Sequence, residues 1–189
     1  MRRLRYSVAM SLDGYIAGPK GEADWILMDP DIDFGAMFAR YDTLLMGRKT
    51  YEAAAAMGGG GGGMFGGMKI LVASGTLKSK EHPKVEILSG DLKASVNALK
   101  AMPGKDIWLF GGGQLFRACL DLGLVDDVET AVIPVLLGEG LPLLPAPAAK
   151  ARLRLASHRI YEKTGIVFLT YEVGTTPARK TRKDGSKRS

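Results

Sequence analysis

The sequence predicts an α/β domain: a mostly parallel sheet with helices on both faces, closed by an antiparallel hairpin at the C-terminal edge. Three observations carry this. Short apolar runs with β-branched residues alternate with segments of helical spacing along most of the chain. Two of the runs stop at glycine and pass directly into a helix, at Met46-Gly47-Arg48 and at Phe110-Gly111-Gly112-Gly113. The last two runs, over 152–160 and 166–172, are joined only by Tyr161-Glu162-Lys163-Thr164-Gly165.

Each element follows from its residues. The first strand covers 4–10. From Ser11 to Gly21 the chain breaks into a loop rich in turn formers, and Asp24, Trp25 and Ile26 follow. Loops of this length are functional or disordered; the glycines mixed with Tyr15, Ile16 and Trp25 read as a flap over a ligand or as a plain surface loop. Ile32, Phe34, Met37, Phe38 and Tyr41 recur at helical spacing, predicting a helix over 31–41. Residues 43–46 form a short buried strand. It runs into Gly47-Arg48-Lys49-Thr50 and an alanine-rich helix ending near Met57. The glycines at 58–63 cannot hold a helix, where each costs about 1 kcal/mol, and read as a flexible loop. Strands follow over 69–73 and 85–88. Asp91 caps a helix that buries Leu92, Val96 and Leu99. The strand over 106–110 ends in three glycines, after which Leu115, Phe116, Cys119 and Leu120 mark another helix. A strand over 126–133 precedes the closing hairpin.

Bulk composition narrows the function. The 189 residues suit one domain, expected over 1–174, with a basic tail over 175–189. The tail holds Arg179, Lys180, Arg182, Lys183, Lys187 and Arg188 against Asp184, which accounts for most of the net charge of +6. The remainder is nearly neutral. The tail is therefore read as a disordered, solvated extension and not as a nucleic-acid arm. A lone cysteine, Cys119, permits no intrachain disulfide and points to a reducing, cytoplasmic setting. With only His82 and His158 besides, no metal site is expected. Arg2, Arg3 and Arg5 precede an apolar stretch that Asp13 cuts too short for a signal peptide or membrane span.

The glycine junctions carry the chemistry. Glycine lets a phosphate approach the backbone, and the free N–H groups of a helix start point at it; an ordinary tight strand-to-helix turn is the competing reading. Arg48 and Lys49 begin a helix where the macrodipole favours anions, an arrangement that makes more sense with an anion bound. Ser74-Gly75-Thr76 ends a third strand. In parallel sheets ligands lie across the carboxyl ends of the strands, and a phosphorylated dinucleotide would use all three junctions.

Several of these motifs resemble a known family. Met46-Gly47-Arg48-Lys49-Thr50-Tyr51-Glu52 and Phe110-Gly111-Gly112-Gly113 resemble the two cofactor turns of dihydrofolate reductases. The stretch from Ala9 to Ala17, Asp24-Trp25-Ile26 and Ile133 to Gly140 look like the RibD C-terminal reductase domain in a stand-alone form. The resemblance implies a dihydrofolate reductase-like fold and hydride transfer from NADPH to a heterocycle or sugar derivative. The nearest activity is reduction of 5-amino-6-(5-phosphoribosylamino)uracil in riboflavin biosynthesis. A pteridine or dihydrofolate-type reductase and a non-catalytic NADP-binding protein are the alternatives. It further implies that Gly47, Arg48, Lys49 and Thr50 hold cofactor phosphates, with Ser74 near the adenosine end. Gly111, Gly112, Gly113, Gln114 and Leu115 pass the pyrophosphate, with a cis peptide between Gly111 and Gly112. Ala9 and Ile16 flank the nicotinamide. Asp13 and Asp33 are the candidate catalytic carboxylates, Asp29 and Asp31 being rivals to Asp33. Asp13 also suits a plain Asp-Gly turn, and Asp33 a helix-start charge. Trp25, Gly138 and Glu139 are candidate substrate contacts, although Trp25 could plug the core and Glu139 be an exposed loop acid. A homodimer is expected.

Overall fold

This computed structural model describes residues 1–56 and 67–174. In chain order these form β1 (Leu4–Ser11), β2 (Tyr15–Ala17), α1 (Phe34–Phe38), β3 (Tyr41–Gly47), α2 (Arg48–Ala56), β4 (Lys69–Ala73), β5 (Glu86–Leu88) and α3 (Leu92–Ala101). Then come β6 (Asp106–Gly111), α4 (Gly113–Asp121), β7 (Asp127–Ile133), β8 (Leu141–Pro142), β9 (Leu153–Tyr161) and β10 (Ile166–Val173). The main sheet has eight strands in the order β5-β4-β3-β6-β1-β7-β10-β9. β5, β4, β3, β6, β1 and β7 are parallel to one another; β10 runs antiparallel to both β7 and β9, and with β9 forms the expected hairpin.

The central strands read as continuous apolar runs because both faces are covered. On β3, Leu45 enters one core, with Tyr6 and Leu109 of the sheet, Val96 and Leu99 of α3, and Phe116 and Cys119 of α4. Its neighbours Leu44 and Met46 enter the other, with Trp108, Met37 and Phe38 of α1 and Tyr51 of α2. Tyr6 stacks on Phe116 with ring centroids 3.8 Å apart. The arginines near the start of the chain are anchors of the sheet: Arg2 pairs with Asp42, Arg3 clasps Asp127 through two 2.6 Å bonds, and Arg5 bonds Asp106 at 2.7 Å.

Three expectations are corrected. The helix over 31–41 shrinks to Phe34–Phe38, capped by Asp33, whose carboxylate accepts from the Ala36 amide at 2.8 Å. Tyr41, read as helical, is instead the first residue of β3, pairs with Asp106 and is buried. The flap over 11–21 contains a strand: β2 pairs antiparallel with β8 in a separate two-stranded sheet. There Gly140 passes so close to β2 that a Cβ would lie 2.3 Å from the Ala17 carbonyl oxygen. The glycine run at 58–63, Met57 and the tail over 175–189 lie outside the described residues.

Candidate functional site

The strand order places the three glycine and hydroxyl junctions side by side. β4, β3 and β6 are consecutive and parallel, so Ser74–Thr76, Gly47–Thr50 and Gly111–Gly113 share one edge of the sheet. The first turn of α2 leans over the start of α4. A Cβ on Gly112 would lie 3.1 Å from Thr50 Oγ1, and one on Gly111 would lie 3.5 Å from Thr50 Cγ2. Gly112 is the N-cap of α4 and supplies no side-chain cap, so the helix start presents backbone N–H groups beside the Thr50 hydroxyl. The Gly111–Gly112 peptide is cis. Gly113 is needed for packing too, since a Cβ there would meet Pro145 Cδ at 2.9 Å. Arg48 forms an exposed pair with Glu52 at 3.0 Å, one turn along α2. Ser74 Oγ accepts from the Leu77 and Thr76 amides at 3.1 and 3.2 Å, and the hollow beside it, of about 240 Å³, is lined by Gly75, Ser89 and Gly90.

At the middle of the sheet two strands part. The β1–β6 ladder ends at Tyr6 and Leu109, whereas β1 continues to pair with β7 as far as Ser11 and Ile133. The Ser7 carbonyl instead accepts from the Trp108 indole N–H at 2.9 Å. The chain leaves β1 toward β3 on one side and leaves β6 toward β7 on the other, which makes this gap a topological switch point, the place where parallel sheets hold ligands. A cavity of about 390 Å³ opens there on the α1 face, under the segment Ile26–Met28. Ser7 and Ala9 of β1, Ala131 of β7, Trp108 of β6 and Phe168 of β10 face into it. The covering segment is tied to the β9–β10 turn: Thr164 Oγ1 donates to Asp29 at 2.7 Å, and Lys163 pairs with Asp31 at 2.8 Å.

Of the residues singled out from sequence, Asp33 and Ala9 line this cavity. Asp13 does not. Its carboxylate accepts from the Ser11 hydroxyl at 2.6 Å, the Gly138 amide at 2.7 Å and the Leu137 amide at 3.1 Å. The Ser11 bond foremost, helped by the Gly138 and Leu137 amides against some desolvation, holds its carboxyl below the usual range. Asp13 thus ties the 137–138 loop to the end of β1. Gly138 joins that tie through its amide, Glu139 is exposed, Ile16 lies on β2, and the Trp25 indole donates to the Glu22 carbonyl at 3.1 Å. The rival Asp29 and Asp31 serve the strap.

Sequence reasoning missed a charged cluster beside the cavity. Glu129 of β7 is fully buried, and takes bonds from Arg40 at 2.5 Å, Tyr41 at 3.2 Å and Arg5 at 3.3 Å. Arg40 also lines the cavity, as do Arg159 and Tyr161 of the hairpin. No local signal marks it: β7 also carries Asp127 and Thr130, so Glu129 does not stand out along the strand, and its burial beside cations emerges only when β1, β3 and β7 come together.

Among the described residues no group of three or more His, Cys, Asp or Glu side chains could hold a metal, and no helix is long and apolar enough to cross a membrane. The uncharacterized protein YyaP of Bacillus subtilis is 33% identical over 179 residues, covering 90% of this chain and 94% of its own. A crystal structure of a Shewanella sp. PV-4 protein named for riboflavin biosynthesis superposes with a TM-score of 0.77 at 25% identity, covering 93% of this chain and 100% of that one. Dihydrofolate reductase from Enterococcus faecalis, in complex with NADP(H), shares the fold at a TM-score of 0.66 and 14% identity, over 92% and 97% of the two chains. The model of the RibD C-terminal domain matches residues 2–59 and 65–167, and the chain belongs to that family.

Proposed function

We propose that the chain is an NADPH-dependent oxidoreductase that reduces a small molecule in the cavity between β1, β7, β10 and α1. The observation that carries this is the parting of β1 and β6 at the switch point, with the cavity on one side and the glycine turn of β6 on the other. The residues fit the cofactor. Gly112 leaves open the space a Cβ would fill beside Thr50, and α2 and α4 both start at the same sheet edge. Gly47, Arg48, Lys49 and Thr50 would hold phosphates, Gly111 to Leu115 would pass the pyrophosphate, and Ser74 with its hollow would take the adenosine end. Ala9 and Ile16 would flank the nicotinamide. When bound, NADPH supplies the hydride; the protein supplies binding, orientation and exclusion of water. Asp33 is the carboxylate proposed to orient substrate. Asp13 positions the 137–138 loop, and through it Gly138, Glu139 and β8, while Trp25 would close the loop side of the site.

The RibD family membership and the riboflavin-linked name of the Shewanella protein put 5-amino-6-(5-phosphoribosylamino)uracil first among substrates to assay. Asp33 in the cavity, capping the first helix, favours a pteridine or dihydrofolate-type reductase as the second reading. Purified protein with NADPH and the correct candidate should lose reduced-nicotinamide absorbance; NADPH that binds but is oxidised by neither would count against both substrate readings. We further propose a functional unit over 1–174, a homodimer and a cytoplasmic setting. The lone buried Cys119 and the exposed edge strand β9 support the last two.

A further inference from the structure

The lining of the cavity is uneven in a way that selects a ligand. Ile26, Met28, Phe34, Met37, Trp108 and Phe168 are large apolar side chains of the wall. The charged groups are few, Asp33, Arg40 and Arg159, and of the two cations one is already committed. Arg40 is held by the buried Glu129 at 2.5 Å, and Asp33 accepts from the Ala36 amide at 2.8 Å. Arg159 differs. Its guanidinium lies 4.6 Å from the centre of the Tyr161 ring, and its nearest protein acceptor is the Asp31 carbonyl at a long 3.4 Å. The Asp31 carboxylate belongs to Lys163. Among the described residues lining the cavity, Arg159 is the cation without a carboxylate partner.

Resting on the assignment of this cavity as the substrate site, we propose that it takes a flat, mainly apolar ring bearing one anionic group, with that group paired to Arg159 at the mouth. A ring edged with many donors and acceptors would find only Ser7, Asp33, Arg40 and Tyr161 to pair with besides Arg159, and would leave the rest unpaired against the apolar wall. An apolar ring displaces water from Trp108, Phe34 and Phe168 at no such cost. Arg159 offers a planar fork pre-oriented by Tyr161 and suited to a carboxylate. The ligand class is therefore aromatic acids and their near relatives, less polar than either substrate named above, and binding of this class would rank aromatic acids ahead of both in the reductase assay.

The test is calorimetric titration of the full chain, without NADPH, using naphthoate and its neutral counterpart naphthamide. Naphthoate should bind about tenfold more tightly, the lower end for a charge-assisted bond at an exposed rim. Arg159→Gln should abolish that preference while leaving naphthamide affinity unchanged, and Arg159→Lys should restore part of it. Ala131→Leu, which fills the cavity floor, should weaken both probes by a similar factor. Equal affinity of the two probes, or a preference that survives Arg159→Gln, overturns the proposal. Failure of Ala131→Leu to weaken either probe places the binding elsewhere and overturns it as well. A parallel NADPH titration separates the two ideas. NADPH bound with no naphthoate preference sinks this proposal alone. Naphthoate preference without NADPH binding supports the cavity assignment and sinks the reductase reading.

Discussion

Replacing Glu129 by Ala tests whether the buried charge cluster holds the sheet and the cavity wall together. Glu129 is fully buried on β7, and its carboxylate is the meeting point of Arg40, Arg5 and the Tyr41 hydroxyl. Removing one partner of a buried ion pair costs about 3–5 kcal/mol, because the other charge is left uncompensated. Here the remaining charges have partial relief. Arg40 is 38% exposed and can turn to water, and Arg5 keeps Asp106 and Asp127. The expected cost is thus at or just below the low end, about 3 kcal/mol. At 2–4 °C per kcal/mol for a chain of this size, the melting temperature should fall by roughly 6–12 °C. Denaturant unfolding gives the free energy directly, and a cycle with Arg40→Ala gives the coupling. The double variant should be less destabilised than the sum of the single ones, since removing both charges leaves less unpaired. A loss below about 1 kcal/mol, or strict additivity, would show that the cluster is mere surface charge.

Four further outcomes are expected. Arg48→Ala should weaken NADPH about ten- to hundredfold and NADH far less, with stability changed by no more than about 0.5 kcal/mol because the Arg48–Glu52 pair is exposed; equal losses for both cofactors in binding titrations would count against the assignment. Gly112→Ala brings a methyl to 3.1 Å from Thr50 Oγ1 and into the proposed pyrophosphate path, so cofactor binding should vanish while circular dichroism still reports a folded domain. The Asp13 carboxyl is held below its ordinary value in the fold, so its contribution is present above about pH 4 and lost as pH falls through the folded-state value. Melting curves of Asp13→Asn should therefore run closer to wild type under acid than at neutrality, and an unchanged gap would contradict the loop tie. Deleting 175–189 should leave both melting temperature and NADPH affinity in place, and a drop of several degrees would mean that the tail packs.

What could be read from the sequence was what lies within a few residues. The runs in β3, β4 and β6 announce buried parallel strands because both faces are apolar, and the glycines after Met46 and Phe110 announce the helix starts. What escaped depends on partners far along the chain. β2 is three residues long and exists because Pro142 and Leu141 come alongside, a pairing that no local pattern encodes. The spacing that predicted a helix through Tyr41 was real, but burial beside Trp108 and pairing with Asp106 drew that residue into β3. Arg5 and Glu129 look like solvated charges until β1 and β7 are laid together. Asp33 was identified through the resemblance. Arg159 was not, because it enters the cavity only through the returning hairpin.

The tie between the strap and the hairpin has a consequence for how the cavity breathes. The cover holds on by side-chain bonds, from Thr164 to Asp29 and from Lys163 to Asp31, while Leu27 and Met28 remain 47% and 59% exposed. Ile26, Met28 and Ile32 line the cavity but belong to neither sheet core, so lifting the segment re-exposes these side chains and leaves both cores packed. Its opening costs far less than global unfolding, so its amides should exchange with solvent deuterium long before those of β1 and β6. Because Lys163 and Asp31 are both exposed, added salt weakens that hold. Ligand exchange in this cavity should then carry an ionic-strength dependence of its own, which the unfolding of the sheet does not share.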